Sequence, residues 1–168
     1  AEFGEGDAAT TLPATGNRDI FLAKYDAAGP LQWVKGIGGA GRDEGLDVAV
    51  DNDGHVLVTG QFENTVDFDP AEDKTEDRAS EGGGDAFVAR YTDQGEFSWV
   101  RTFGGSTSKI DSGNGLDVDA EGHVVVTGFF WGSVDFGGDA GTLTSEGDKD
   151  VFVVRLDAEN DGATAWAR

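Results

Sequence analysis

The stretch Asp19-Ile-Phe-Leu-Ala-Lys-Tyr25 decides the fold, because it returns as Asp85-Ala-Phe-Val-Ala-Arg-Tyr91 and again as Asp150-Val-Phe-Val-Val-Arg-Leu156. A tryptophan follows each copy, at Trp33, Trp99 and Trp166. The copies begin 66 and 65 residues apart. A fixed period of this kind predicts a stacked or radial array of one supersecondary unit, in which each unit buries its apolar face against a neighbour.

A second block lies between the copies. Gly54-His-Val-Leu-Val-Thr-Gly60 recurs as Gly122-His-Val-Val-Val-Thr-Gly128, and a Val-Asp-Phe triplet follows each of them. Within one period the apolar residues alternate with polar ones, which predicts strands at 20–25, 31–37, 46–51 and 56–62. Asp53-Gly54 and Glu121-Gly122 predict tight hairpin turns, because such turns need residues that tolerate positive φ.

Four short antiparallel strands per repeat predict an all-β chain of β-propeller blades. An immunoglobulin-like sandwich has no reason to repeat at this length, and the rungs of a β-solenoid are usually much shorter than this period. We therefore expect about two and a half blades in an incomplete ring.

The recurring pattern resembles a known family. Asp-x-Phe-x-Ala-Lys/Arg-Tyr, then Trp, Gly-Gly and Val-x-Val-Asp-x-x-Gly-x-Val-x-Val-Thr-Gly, is similar to the bacterial β-propeller repeats called SBBP, found in secreted and surface proteins of myxobacteria and their relatives. The resemblance covers essentially the whole chain and implies a propeller fold without a shared catalytic motif. It also implies that the inner strands lie at 46–51 and 116–119.

The repeats divide the chain into three predicted parts. Residues 1–45 would hold the outer strands of a partial blade, residues 46–113 a second blade with a connecting loop, and residues 114–168 a third blade. Closed propellers have roughly four to eight blades. Three explanations stay open: a piece of a longer protein, which we favour, a subunit that assembles with copies of itself, or an open arc with partners at its edges.

Composition limits the partners. The net charge is -21, from 33 acidic and 12 basic residues, and this field repels nucleic acid and anionic membranes and favours cations and basic partners. No apolar stretch is long enough to insert into a membrane. There is no cysteine, so disulfides and thiolate chemistry are excluded. With the family resemblance, we expect an extracellular or cell-surface location.

Acidic pairs near two turns raise the possibility of calcium. Asp51 and Asp53 precede Gly54, and Asp67 and Asp69 precede a proline. Calcium needs six to eight oxygen ligands, and the position where an EF-hand-like loop has glutamate is Phe62. A simple turn is therefore the favoured interpretation, and calcium is the only cofactor that the sequence raises.

Other repeated polar residues are predicted to be structural. His55 and His123 follow equivalent turns, where one histidine cannot complete a zinc site, so we expect hydrogen bonds beside the turns. Each repeat also carries a cation within an apolar strand and an acid at the start of that strand. We expect these to form ion pairs between Lys24, Arg90 or Arg155 and Asp19, Asp85 or Asp150.

The two complete copies differ at one place that is of functional interest. Gln61-Phe62-Glu63-Asn64 in one becomes Phe129-Phe130-Trp131-Gly132 in the other, and the nearby loop 106–110 carries two inserted residues. Exposed aromatics at a blade rim suit sugar stacking or a protein contact, although they could instead cover an apolar blade edge. The predicted contact residues are Phe129, Trp131, Ser106 and Lys109.

No catalytic motif is present. The sequence has no Gly-x-Ser-x-Gly elbow, phosphate-binding loop or His-Glu-x-x-His helix. We therefore expect a non-catalytic binding or scaffolding segment for a protein or glycan partner. The alternative is a subunit that assembles into an oligomer or filament through its blade edges, since unpaired strands invite pairing with another chain. A calcium-dependent adhesin and a glycan-active enzyme are less favoured.

Overall fold

The computed structural model describes residues 1–4, 9–71 and 74–168. These residues form strands joined by turns and one short 3₁₀ turn, and none of them lies in an α-helix. Within the same ranges there is thus no helix of the length and apolarity that a membrane crossing requires.

The described residues contain fourteen strands, numbered in chain order. They are β1 (Glu2–Phe3), β2 (Thr10–Thr11), β3 (Ile20–Tyr25), β4 (Leu31–Gly39), β5 (Glu44–Val50), β6 (Val56–Phe62), β7 (Thr65–Asp67), β8 (Asp77–Ala79), β9 (Asp85–Tyr91), β10 (Phe97–Phe103), β11 (Ser112–Val118), β12 (His123–Asp135), β13 (Thr142–Asp157) and β14 (Ala163–Ala167).

Two four-stranded antiparallel sheets form complete blades. Blade 2 has the order β5-β6-β9-β10, and blade 3 has the order β11-β12-β13-β14. The β3–β4 pair corresponds to the two outer strands of such a blade and is called blade 1 here. This arrangement confirms the predicted all-β class with an incomplete set of blades. The predicted division of the chain after residues 45 and 113 stays a prediction. β5 and β11 begin at Glu44 and Ser112, two residues before the predicted starts of the second and third parts.

The strand predictions at 20–25 and 56–62 match the observed strands, and those at 31–37 and 46–51 are within two residues at each end. Gly54 and Gly122 have φ of 84° and 85°, so the tight turns are confirmed. The β7–β8 hairpin was not predicted. It joins a sheet with blade 1, because Gly38 and Gly39 of β4 pair with Asp67 and Val66. In blade 3 the corresponding residues extend β12 and β13 to 13 and 16 residues.

The core consists of two clusters, one at each junction between blades. At the first junction, Ile20, Leu22 and Ile37 of blade 1 pack on blade 2 residues that include Phe62 and Phe87. At the second, Leu57, Val88 and Trp99 of blade 2 pack on blade 3 residues that include Phe130 and Phe152. Each sheet therefore stabilises the next by covering its apolar face, as the repeat predicts.

One phenylalanine of the repeated strand differs in burial from its two counterparts. Phe87 and Phe152 are fully buried, whereas Phe21, their counterpart in blade 1, is 59% exposed. Phe87 and Phe152 each lie beside a glycine of the neighbouring strand, Gly60 and Gly128. Blade 1 has no strand beside β3 on that side among the described residues, and Phe21 contacts only Phe3 among the aromatic rings, at 4.9 Å between centroids.

Candidate functional site

Each junction between blades contains the same contact, which we call the tryptophan contact. Trp33 Nε1 donates a hydrogen bond to the carbonyl of Asp93 at 2.9 Å, and Trp99 Nε1 donates to the carbonyl of Ala158 at 3.1 Å. Both carbonyls lie in the turn between the outer strands of the following blade. The indole ring lies on a glycine of that turn, Gly95 or Gly162, where a Cβ would clash with the ring.

A basic side chain completes each tryptophan contact. Lys24 Nζ donates to the Asp93 carbonyl at 2.9 Å, and the Arg90 guanidinium donates to the Ala158 carbonyl at 3.1 Å. The third copy of this donor pair is Trp166 with Arg155, both half-buried on blade 3. Within the described residues no further turn lies on Trp166.

The predicted ion pairs within each repeated strand are wrong. Arg90 pairs instead with Asp51 at 2.8 Å and with Glu159 at 2.9 Å, and Arg155 lies 3.8 Å from Asp119. The strand acids accept backbone N–H groups four residues earlier, as Asp85 does from Glu81. Residues five apart on a strand point to opposite faces, so Asp85 and Arg90 cannot meet.

The Asp51–Arg90 pair is buried, with side chains only 5% and 7% exposed. Burial raises the pKa of Asp51, but the hydrogen bond from Arg90 and the backbone donors of the turn outweigh it and hold this pKa below its usual value. Asp51 Oδ1 accepts the N–H groups of Asp53 and His55, and Asp119 does the same for Glu121 and His123. The predicted hydrogen bonds beside the turns are thus confirmed.

The predicted calcium ligands lie in two separate places. Asp51 and Asp53 are grouped with His55, and the equivalent group in blade 3 is Asp119, Glu121 and His123. Asp67 instead caps its own turn by accepting the N–H groups of Asp69 and Glu76. In the part of the chain that the structure describes, neither Asp67 nor Asp69 belongs to a group of three acidic or histidine side chains whose ligand atoms lie close enough together to hold a metal ion. Calcium stays a prediction.

Buried aspartates that the sequence analysis did not single out join the blades. Asp43 accepts the N–H groups of Gly39 in blade 1 and Glu63 in blade 2. Asp111 accepts those of Gly105 and Trp131 in the same way at the second junction. Burial raises the pKa of both carboxyls. Their spacing of 68 residues, the same as that between the turn glycines, is the signal that could have found them.

The four predicted contact residues, which we call the rim surface, lie on blade 3 and its leading loop. Lys109 Nζ lies 5.4 Å from the centroid of the Trp131 ring, and Lys149 Nζ lies 3.9 Å from that of Phe129. Phe129 and Trp131 are therefore half-buried rather than fully exposed. Ser106 is exposed and lines a separate polar cleft between blades 2 and 3.

Phe129 and Trp131 lie on the face of blade 3 that points away from blade 2. Their neighbours Phe130 and Val126 belong to the second junction, and side chains alternate along a strand. On blade 2 the equivalent face is covered by blade 3, since Leu57 and Thr59 are fully buried. Val151, opposite Phe129 in the ladder, is 74% exposed. This open face is therefore the counterpart of a face that the chain itself covers at both of its junctions.

No family model matches the chain. It is similar to the regulatory protein FlaEY of Caulobacter vibrioides, with 32% identity over 93 residues, which are 55% of this chain and 10% of that protein. It is also similar to the uncharacterized WD repeat-containing protein L264 of Acanthamoeba polyphaga mimivirus, with 24% identity over 145 residues, which are 76% of this chain and 10% of that protein.

The chain spans about a tenth of the length of each of these relatives. The similarity to a WD repeat-containing protein supports a repeat, propeller-like fold and, with it, a repeat-type binding module. The narrower resemblance to the SBBP repeats stays a prediction.

Proposed function

We propose that this chain is a non-catalytic binding module whose open blade 3 face, with the rim surface, contacts a protein partner. The observation that carries the proposal is the contrast between two equivalent faces. Blade 2 buries this face under blade 3, whereas blade 3 leaves Val151 exposed and Phe129 and Trp131 half-buried under two lysine side chains. An apolar face rimmed by polar groups is typical of an interaction site.

A protein partner fits this face better than a glycan does. The counterpart on blade 2 packs against protein, and the donor pair Trp166 and Arg155 repeats residues that bind a backbone carbonyl at both internal junctions. Two of the 12 basic residues lie on the rings of the rim surface, which weakens the negative field there. We also propose an extracellular or cell-surface location, on the family resemblance alone.

Binders selected from a displayed peptide library and from a glycan array test this proposal. We expect peptide binders that Trp131→Ala and Phe129→Ala abolish, with circular dichroism and melting temperature unchanged. Val48→Ala is the matched control, because Val48 is 54% exposed on another blade. Binders that are insensitive to Trp131→Ala would reject the rim surface, and binders found only on the glycan array would replace the protein partner with a sugar.

Self-assembly is the second candidate function, and the tryptophan contact favours it. The β3–β4 turn of blade 1 places Gly29 four residues after Tyr25, as Gly95 stands four residues after Tyr91. A Cβ built on Gly29 meets nothing within 4 Å, so the turn is free to receive an indole ring. Trp166 and Arg155 of one copy could therefore bind the carbonyl of Ala27 in another.

Sedimentation velocity over a range of concentrations distinguishes the two candidates. If assembly dominates, the chain associates as its concentration rises, and Trp166→Ala or Arg155→Ala abolishes the association while Trp131→Ala has a smaller effect. A monodisperse monomer at every concentration would count against assembly and would leave the binding-module proposal in place.

A further inference from the structure

A polar cleft of about 330 Å³ lies between blade 2 and blade 3. Its walls come from the ends of β8 and β10, the loop after β10, and the extended β12–β13 hairpin. The corresponding place at the first junction also holds a pocket, of about 500 Å³, which includes Asp19, the counterpart of Asp85, but has mainly apolar walls and Lys35 in its lining. At the second junction the described part of β10 pairs only with β9, and the cleft opens there.

The cleft collects acidic side chains, and with them negative charge, around one buried carboxyl. Asp85 is 3% exposed, and its Oδ2 accepts the N–H of Glu81 at 3.0 Å. Its Oδ1 is buried and has no hydrogen-bond partner. Glu81 and Asp135 are exposed acids on the walls, and hydroxyl groups of Ser106, Ser133 and Thr142 lie around them.

Nothing that lines the cleft neutralises this charge. Among the residues that the structure describes, no lysine, arginine or histidine belongs to its lining. A buried acceptor without a hydrogen-bond partner lowers the stability of the folded chain. The chain as a whole has a net charge of -21, so the acids of the cleft also repel the surrounding negative charge. A ligand that donates hydrogen bonds and carries positive charge would relieve both costs.

The spacing of the acids favours an organic cation over a bare metal ion. Ligand oxygens around one calcium ion lie within about 5 Å of one another. In the described residues, the only groups of three acidic or histidine side chains that meet a limit of 4.8 Å are those at the two turns, Asp51-Asp53-His55 and Asp119-Glu121-His123. The cleft acids are farther apart, and a guanidinium with several donors can span them.

We propose that this cleft binds the guanidinium or ammonium group of a basic side chain, held by Asp85 at its floor and by Glu81 and Asp135 on its walls. This cleft is a different site from the open face of blade 3 that is proposed to contact a protein partner. The cleft shares only Ser106 with the rim surface, so either proposal can fail without the other.

Titration of the ¹⁵N-labelled chain with Nα-acetyl-L-arginine methylamide, followed by NMR, tests the proposal. We expect saturable shifts of the amide signals of Asp85, Gly104 and Gly105. The uncharged citrulline counterpart of the probe should produce none. At pH 8, where the carboxyl of Asp85 is ionised, Asp85→Asn should weaken binding by at least about tenfold, since a hydrogen bond to a charged group contributes more than a neutral one. Asp117→Asn, an exposed acid outside the cleft, should bind as the unaltered chain does.

Three results would overturn the proposal: equal shifts with the citrulline compound, unchanged binding by Asp85→Asn, or no shift of these amides at all. Calcium chloride alone forms a further arm, and shifts seen only with calcium would replace the organic cation with a metal ion. If Asp85→Asn fails to fold, Asp135→Asn serves in its place, because Asp135 is exposed and accepts only the N–H of Gly137. Unchanged binding by Asp135→Asn would also overturn the proposal.

Discussion

At the scale of single residues, this acidic chain uses its buried aspartates to bind backbone N–H groups more than to form ion pairs. Asp43 and Asp111 each accept one donor from either side of a junction, and Asp85 accepts one from the loop before its strand. Burial without a neighbouring cation makes the charged form costly. The same aspartates that stabilise the junctions therefore resist ionisation.

Asp85 gives this effect a measurable consequence. Burial, with added repulsion from Asp111 and Glu81, raises the pKa of its carboxyl from 3.8 to about 7. Between these two values the folded chain holds a proton that the unfolded chain has lost, so stability falls as pH rises through this window and levels off above it. We expect Asp85→Asn to remove this loss and to raise the free energy of unfolding above pH 7, on the order of a few kcal/mol.

Urea denaturation of the unaltered chain and of Asp85→Asn, from pH 4 to pH 8, measures the difference. The two curves should separate as pH rises, because the asparagine amide keeps an acceptor for the N–H of Glu81 and carries no charge. A constant difference across this window would contradict the expected ionisation.

At this scale the sequence predicted the hydrogen bonds of His55 and His123, because both donor and acceptor lie in one turn. It failed for the ion pairs of the repeated strands. Asp85 and Arg90 are close along the chain, but strand geometry directs them to opposite faces of the sheet, and the true partner Asp51 comes from the neighbouring strand pair. The cleft acids were likewise unpredictable, because three separate elements bring them together.

At the scale of elements, the tryptophan contact connects each blade to the next. Trp99 is 6% exposed, contacts Gly162 and donates a hydrogen bond across the second junction. Trp166 occupies the same place in its strand and has no following turn within the described residues. Substitutions of Trp99 and Trp166 therefore show what the same side chain contributes when it lies at a junction and when it does not.

We expect Trp99→Ala to lower the free energy of unfolding by about 3–5 kcal/mol, because it opens a cavity in the second junction. Trp166→Ala should cost much less, since its ring is half-buried and makes no junction contact. Thermal and urea denaturation of both variants measures the difference. Equal losses would show that the tryptophans act within their own sheets rather than between blades.

The strands of the repeat were predictable because period-two alternation is a local property of the chain. The β7–β8 hairpin was not, since Val-Asp-Phe is short and its strand pairs with the preceding blade rather than with its own. The rim aromatics were found by comparing repeats, but their covering by Lys109 and Lys149 was not. These lysines come from a loop and an adjacent strand whose positions the fold determines.

At the scale of the whole molecule, exposed large apolar side chains are confined to faces where a blade lacks a neighbour or an inner strand. They are Phe21 and Tyr25 on β3, Leu46, Val48 and Val50 on β5, and Val151 on β13. Two of the β5 residues line one groove with Ile20 and Leu22 of blade 1. The repeat pattern predicted that sheets cover one another. The repeat pattern does not predict which molecule covers the outermost faces.

The two acidic turns lead to a prediction about calcium at the scale of the whole molecule, because an ion bound to either turn would raise the stability of the folded chain. The favoured interpretation of the Asp51 and Asp119 turns is structural, because their carboxylates already accept backbone N–H groups, and Asp51 is also paired with Arg90. We therefore expect the melting temperature to be the same with calcium and with a chelator, after correction for ionic strength. A rise with calcium that Asp119→Asn abolishes would contradict this, since a ligand of the folded state must raise stability.

The tryptophan contact also gives the molecule a polarity. One side of each junction supplies the indole and the cation, and the other supplies the glycine turn and its carbonyl. Two copies related by a twofold axis through this contact would oppose donor to donor and gain no hydrogen bond. Any array built with it must therefore be head-to-tail, with every copy oriented alike: it closes into a ring if the rotation between copies permits, and otherwise it grows as a helical filament whose two ends are chemically unlike.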